Sequence, residues 1–462
     1  MLMAFWQIGF LMKFKISWFL TFLFFNLIIV SGYAVSVSAA SVSQEVSDYW
    51  IKLFLTLAIF SLPILGLAIV LTQNVGRSAL QGRAMLSPLV LFPFMFAIYF
   101  GVSAIELTDW EAKASVGQFF LIYAGFSAYL VGVFLTSTLL PTPGYVGMNT
   151  QSEFTFSINN LRLALLLTMV IGFIGFILIA RSGLPLFSSD IQESRGGRSG
   201  YIMYMSFVFS DIVIMIMVAR IVSKKSIFGS TAVDLCIALL SLFAMVVMGS
   251  RARVLYPILV PLFFYFLYKN KTLNLRFLFG SFAAAFFLIA FGGYRLSQTT
   301  DHQLYDAISF KFFSELNLAS YTLELLLREF PERVDFLGIG ALFWGIIAIL
   351  PNEFTVLTTH LANIMPVTSV NTGLTPTLIG GFFVLDGIPT IIIGMFFFGT
   401  FLQWSFGRFI RNVSPGRCLF YAYLLVYALN CLKGGFLKDA EPIWHFVILS
   451  FLSTSSFRRA KK

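Results

Sequence analysis

The chain is poor in charge and cysteine, and each shortage removes a class of protein. Of its 462 residues only 11% are Asp, Glu, Lys or Arg, against about 25% in soluble domains. Its three cysteines, Cys236, Cys418 and Cys431, fall in or beside apolar runs and form no CxxC. That excludes a disulfide framework and a thiolate metal site. Internal repeats, low-complexity tracts and soluble-domain linkers are missing too, so residues 1–462 read as a single integral domain. What fills the chain instead is apolar: 58% comes from AVILMFWYC, with 55 Phe. No water-soluble surface can be built from that alphabet, which rules out soluble enzymes and nucleic-acid binders. The fold class is an all-α polytopic integral membrane protein with the lipid bilayer as solvent.

A membrane span needs about 20 apolar residues. Twelve runs qualify, at roughly 16–36, 51–71, 86–105, 118–140, 161–181, 201–221, 231–250, 254–268, 277–295, 388–407, 418–434 and 442–457. The first is expected to be an anchor rather than a cleaved signal, because its apolar run is too long for a signal core. Orientation follows from Lys and Arg in the connections. With a cytoplasmic N-terminus, 18 of the 31 basic residues fall inside the cell and 18 of the 21 acids outside. Both termini are therefore expected in the cytoplasm. Residues 296–387 then form one long outer loop, periplasmic if the membrane is a bacterial inner membrane. Within it Ile308, Phe312, Leu316, Leu323 and Leu327 share a helical face, which predicts an amphipathic helix at the outer interface. The apolar stretch 339–350 stops at Pro351 and is too short to span, which predicts a re-entrant or interfacial segment.

Thirteen basic residues break the inside pattern, and those nearest the outer ends of spans five, seven and nine are all arginine. Arg181, Arg195, Arg198, Arg251, Arg253 and Arg295 are candidates for an anion site, since a guanidinium offers a planar fork of donors to phosphate oxygens. Gly196-Gly197 between two of them permits close backbone approach to a ligand. The alternative is local pairing with outer acids such as Asp190 and Glu193.

The order GLPLF (183–187), GSRAR (249–253) and GGYRL (292–296), followed by GLTPTLIGGFFVLDGIPTIIIGMFFFGTF (373–401), resembles the O-antigen polymerase, or oligosaccharide repeat-unit polymerase, family. The resemblance covers roughly residues 180–405. Where many members carry an acid, this chain has Gly380-Gly381. The family implies a membrane glycosyltransferase of the bacterial inner membrane, its active site facing the periplasm. A growing glycan on undecaprenyl pyrophosphate would pass to the next lipid-linked repeat unit. Partners implied are undecaprenyl-pyrophosphate-linked glycans, a chain-length regulator and a flippase, with no nucleic acid and no cofactor.

The leaving group in that reaction is a lipid pyrophosphate, whose growing charge the arginines can hold without a metal. No metal-binding DxD occurs in the first outer loop; Glu45 and Asp48 come nearest. The acceptor hydroxyl needs a general base. Asp301 and His302, six and seven residues after Arg295, and Glu353, just beyond Pro351, are the candidates; Asp190, Glu193 and His360 are weaker ones. Each is also an ordinary solvated loop residue by type, and His445 fits a packed core histidine. Asp211, in mid-span, is costly unless paired or protonated; it is expected either to bond Ser210 or a neighbouring helix, or to line a polar path. Asp234 is expected to face headgroups or Lys224-Lys225. Three rival readings stay open: an O-antigen ligase with an essential loop histidine, a lipid-linked monosaccharide transferase, and a transporter or flippase, for which Asp211 speaks.

Overall fold

The computed structural model describes residues 85–101, 115–139, 158–181, 199–223, 226–248, 254–271, 321–343, 376–411, 413 and 415–434, with positions 52, 55, 56, 59, 83, 290, 303, 308 and 361. Among these every regular element is helical. The helices are α1 (Leu91–Phe96, continued by a π turn at Ala97–Gly101), α2 (Val116–Leu139), α3 (Ile158–Arg181), α4 (Ser199–Ser223), α5 (Thr231–Val247), α6 (Leu255–Lys269), α7 (Leu378–Asp386), α8 (Ile388–Arg411) and α9 (Pro415–Gly434). A further helical stretch covers 321–329, and Ile339–Phe343 is a 3₁₀ turn. Expected spans 16–36 and 442–457 lie outside the described residues, as does nearly all of 51–71 and 277–295.

The bundle is organised around α2 and α8, which lie side by side and run in the same direction. Gly125 of α2 faces Ile391 and Met395, and Gly132 faces Phe396 and Thr400. A Cβ on Gly132 would overlap the Phe396 carbonyl oxygen, and one on Gly399 would overlap the Tyr129 carbonyl oxygen. Small residues let two backbones approach closely, the usual basis of helix association where lipid removes the hydrophobic drive. Thr400 Oγ1 then reaches the Gly132 carbonyl at 3.5 Å.

One expected span begins differently. The run 86–105 enters as turns over 85–90 and becomes helical only at Leu91. Pro88 and Pro93 explain the delay, since proline is tolerated only in a helix's first turn. Irregular backbone inside an apolar bundle leaves carbonyls that need partners. Two buried tyrosines supply them: Tyr421 donates to the Leu86 carbonyl and Tyr129 to the Pro88 carbonyl, each at 2.8 Å.

A second layer consists of α3, α4 and α5. Helix α4 sits between the other two and also packs on α6, so that 206–216 are buried throughout. Ile214 and Val218 join it to the main core, while Ile212 and Ile216 belong to the core of its own layer. Outward faces are apolar: Leu167, Phe173 and Leu178 on α3, Leu239 and Phe243 on α5, Phe397 on α8. In water each such side chain would forgo about 1.5–3 kcal/mol of transfer free energy; acyl chains remove that cost. Val116–Leu139, Met205–Val222 and Ile388–Arg411 are long and apolar enough to cross a bilayer.

Candidate site at the start of helix α2

Most residues expected to do chemistry fall outside the described residues: Asp301, His302 and Glu353, the arginines Arg195, Arg198, Arg251, Arg253 and Arg295, and also Asp190, Glu193, His360 and His445. Arg181 is described. It is the last residue of α3, exposed, and its side chain makes no hydrogen bond or ion pair among the described residues. A cation there complements the negative end of the helix and leaves the guanidinium open to an anion.

Two further arginines from the long loop pair locally with acids of the same loop. Arg328 Nε lies 3.5 Å from Glu324 Oε1, and Arg333 Nη1 lies 3.1 Å from Glu329 Oε1. The two carboxylates are almost fully buried, while the guanidinium side chains are 56% and 71% exposed. Glu324 has an additional role. Ser115 caps α2 by accepting from the Gln118 N–H at 3.2 Å, and it donates its hydroxyl (2.7 Å) and its own N–H (3.2 Å) to Glu324 Oε2. A carboxylate at a helix start satisfies orphan donors and opposes the positive end of the dipole. Arg328 is thereby tied, through one carboxylate, to the beginning of the central helix. The i,i+4 spacing of Glu324 and Arg328 is visible in the sequence; the bond to Ser115, 209 positions away, is not.

The same loop also carries a correction. Leu323 and Leu326 are fully buried and pack on α7, so the apolar face of 321–329 covers protein rather than lipid. Residues 378–386, read as the end of the loop, form α7, a nine-residue helix that doubles back along α8. The turn is made at Gly387, whose φ of 71° favours glycine, and an added Cβ would stand 3.2 Å from the Phe336 ring. Thr390 Oγ1 is shared between the Phe382 and Gly387 carbonyls at 2.7 and 2.9 Å. Leu337 and Gly338 donate their N–H groups to the Val384 and Leu385 carbonyls at 2.9 and 2.8 Å, satisfying acceptors that a helix end leaves orphaned. The short helix expected to dip inward at 339–350 starts as the 3₁₀ turn Ile339–Phe343; residues 344–350 lie outside the described residues. Gly380 lies under Leu326, whose Cδ1 would stand 2.6 Å from an added Cβ. An acid at this position would have to displace that leucine.

Several charged residues near other helix ends are bound to main chain. Asp234 is fully buried and accepts from the Ile227 and Phe228 N–H groups at 3.0 and 3.1 Å, so it holds main chain rather than facing headgroups; Lys224 and Lys225 lie outside the described residues. The turn it holds also receives Arg162, which donates to the Ile227 carbonyl. Arg220 donates to the Thr231 carbonyl at 3.2 Å. Arg83, buried, donates to the Leu267 carbonyl at 2.8 Å with its guanidinium over the Phe409 ring. Asp211 is buried in mid-α4, and Ser210 Oγ has no hydrogen-bond partner, so the carboxyl is not held by that serine. Among the described residues no group of three or more His, Cys, Asp or Glu could hold a metal ion.

Helices that are apolar inside and out define a multi-pass membrane protein. Residues 85–440 match the family model described as "Putative O-antigen polymerase". That match takes in most of the chain, and the chain belongs to the O-antigen polymerase family, as its ordered GLPLF, GSRAR and GGYRL motifs suggest. No curated protein and no solved structure matches it.

Proposed function

We propose that the protein polymerises undecaprenyl-pyrophosphate-linked oligosaccharide repeat units on the periplasmic face of the bacterial inner membrane. The family match over residues 85–440 carries this reading. The reaction moves a glycan from a lipid pyrophosphate to a sugar hydroxyl on the next repeat unit. The pyrophosphate is an activated leaving group, and the chief catalytic task is to hold its charge as the glycosidic bond breaks. Arg181, Arg195, Arg198, Arg251, Arg253 and Arg295 are assigned that task. Asp301, His302 and Glu353 are the candidates to accept the hydroxyl proton. The parallel course of α2 and α8 supports placing both starts, and with them Ser115, Glu324 and Arg328, on the side of the long loop.

Asp211, buried in α4, keeps a transporter as the second reading. Deleting the gene and separating the surface glycan on a gel decides between them. Loss of long chains with single capped repeats retained supports polymerisation. Complete loss of capping points to a ligase or a flippase instead.

A further inference from the structure

Exposed positive charge accumulates where α8 ends and α9 begins. Arg408, Arg411 and Arg417 are all exposed. Helix α6 ends beside them, since Arg83 reaches from the Leu267 carbonyl to the Phe409 ring, and it brings Lys269 and Lys271 to the same end. Neither 254–271 nor 387–434 contains an acid. Arg417 Nη1 donates to the Arg408 carbonyl at 3.4 Å, which draws its guanidinium back to the last turns of α8. One cation at that point complements the negative end of the helix. Arg408 and Arg411 stand three apart, where like charges on a helix repel, so a bound anion would stabilise the whole group.

Arg408 also differs from Arg83 at the same end. Arg83 is buried and spent on main chain, whereas the Arg408 side chain makes no hydrogen bond or ion pair among the described residues. Its guanidinium lies over the Trp404 ring, 4.7 Å from the centroid. Stacked in that way, a guanidinium keeps its in-plane donors available to phosphate oxygens. Trp404 is in turn stacked with Phe401, and both are exposed, as is Phe397 one turn further back. The spacing 397, 401, 404, 408 and 411 places these residues along one helical face, apolar for three positions and basic for two. From Phe397 to Arg408 the helix rises about 16 Å at 1.5 Å per residue, close to the hydrocarbon depth of one leaflet. The face therefore has the profile of a single lipid: a tail-length apolar strip, an aromatic at the interface, then guanidinium groups at headgroup level.

We propose that this face of α8 binds one anionic phospholipid. Its acyl chains lie along Phe397, Phe401 and Trp404, and its phosphate is received by Arg408, Arg411 and Arg417. Guanidinium forks match phosphate oxygens, and the summed charge selects an anionic headgroup over a zwitterionic one. The site lies at the opposite end of α8 from Gly387 and is independent of the polymerase reading.

The test uses the full chain in a neutral detergent, titrated with phosphatidylglycerol or with phosphatidylcholine of the same acyl chains. Native mass spectrometry counts the lipids that stay bound. The wild type is expected to hold one phosphatidylglycerol about tenfold more tightly than phosphatidylcholine. Arg408→Gln and Arg411→Gln, made singly, should each weaken that binding roughly fivefold. Phosphatidylcholine binding and the lipid-free melting temperature should stay as in the wild type. If Arg408→Gln melts lower without lipid, Arg411→Gln decides alone. Arg220→Gln is the control, because that arginine also stands at a helix end but donates to the Thr231 carbonyl and hydroxyl. It should leave phosphatidylglycerol binding unchanged. An equal loss in Arg220→Gln would mean diffuse attraction to a charged surface and overturns the site. Binding that ignores headgroup charge overturns it too. So does a dimer mass in place of the lipid adduct, since a second copy would then cover the apolar strip.

Discussion

The two ends of α3 treat arginine in opposite ways. Arg162, near the start, is bound to the Ile227 carbonyl in a turn that Asp234 also clasps; Arg181, at the last position, is exposed with no partner among the described residues. The central helices repeat the contrast. Where α6 and α8 end, Arg83 is buried against the Leu267 carbonyl and the Phe409 ring. Where α2 begins, Arg328 is more than half exposed and is oriented by a buried glutamate. At one end Arg162, Asp234 and Arg83 close the backbone of the bundle. At the other, Arg181 and Arg328 are left open. An anionic substrate can be received only where guanidinium groups are not already satisfied, so the difference separates scaffold from site.

The contrast rests on α2 and α8 staying in register, and breaking that contact should have the largest effect. Gly132→Leu is expected to destabilise the protein by more than about 3 kcal/mol, because the added side chain overlaps backbone rather than a movable group. Loss of the folded peak in detergent chromatography checks it. Next is Asp234→Ala, which strands one buried and one half-buried N–H group and should cost about 2–4 kcal/mol. A fall in melting temperature, similar with and without polyprenyl pyrophosphate, marks it as scaffold. Glu324→Gln at the opposite end should cost only about 1 kcal/mol, because its amide still accepts from Ser115. It should, however, release Arg328 and weaken polyprenyl pyrophosphate binding severalfold. Smallest of all in stability is Arg181→Ala, at under about 0.5 kcal/mol, with long-chain polymer reduced on a glycan gel. A large stability loss in Arg181→Ala would falsify the division between the two ends.

Much of the scaffold was legible because spans are written in long apolar runs. The run 118–140 appears as Val116–Leu139 and the run 388–407 as Ile388–Arg411. The departures have local causes. Prolines 88 and 93 delay α1, and tyrosines from two distant helices accommodate the resulting irregular backbone. Helix α7 was hidden because nine residues are too few for a span, so they read as the end of the loop that precedes α8. Asp234 reads as an interfacial acid from its position at the end of an apolar run; that it turns back to cap the preceding loop depends on the path of residues 226–230. The i,i+4 spacing of Glu324 and Arg328 is a signal from which their pairing could have been read, since such neighbours meet on any helix. The pair's anchor on Ser115 is a long-range contact with no local signature.

The most direct test of the account replaces arginines assigned to the open end. Arg251→Ala and Arg295→Ala, each expressed in a deletion strain at matched membrane levels, are compared by the glycan ladder they support. The account predicts that single capped repeats persist while long chains disappear. A normal ladder from either variant would contradict it.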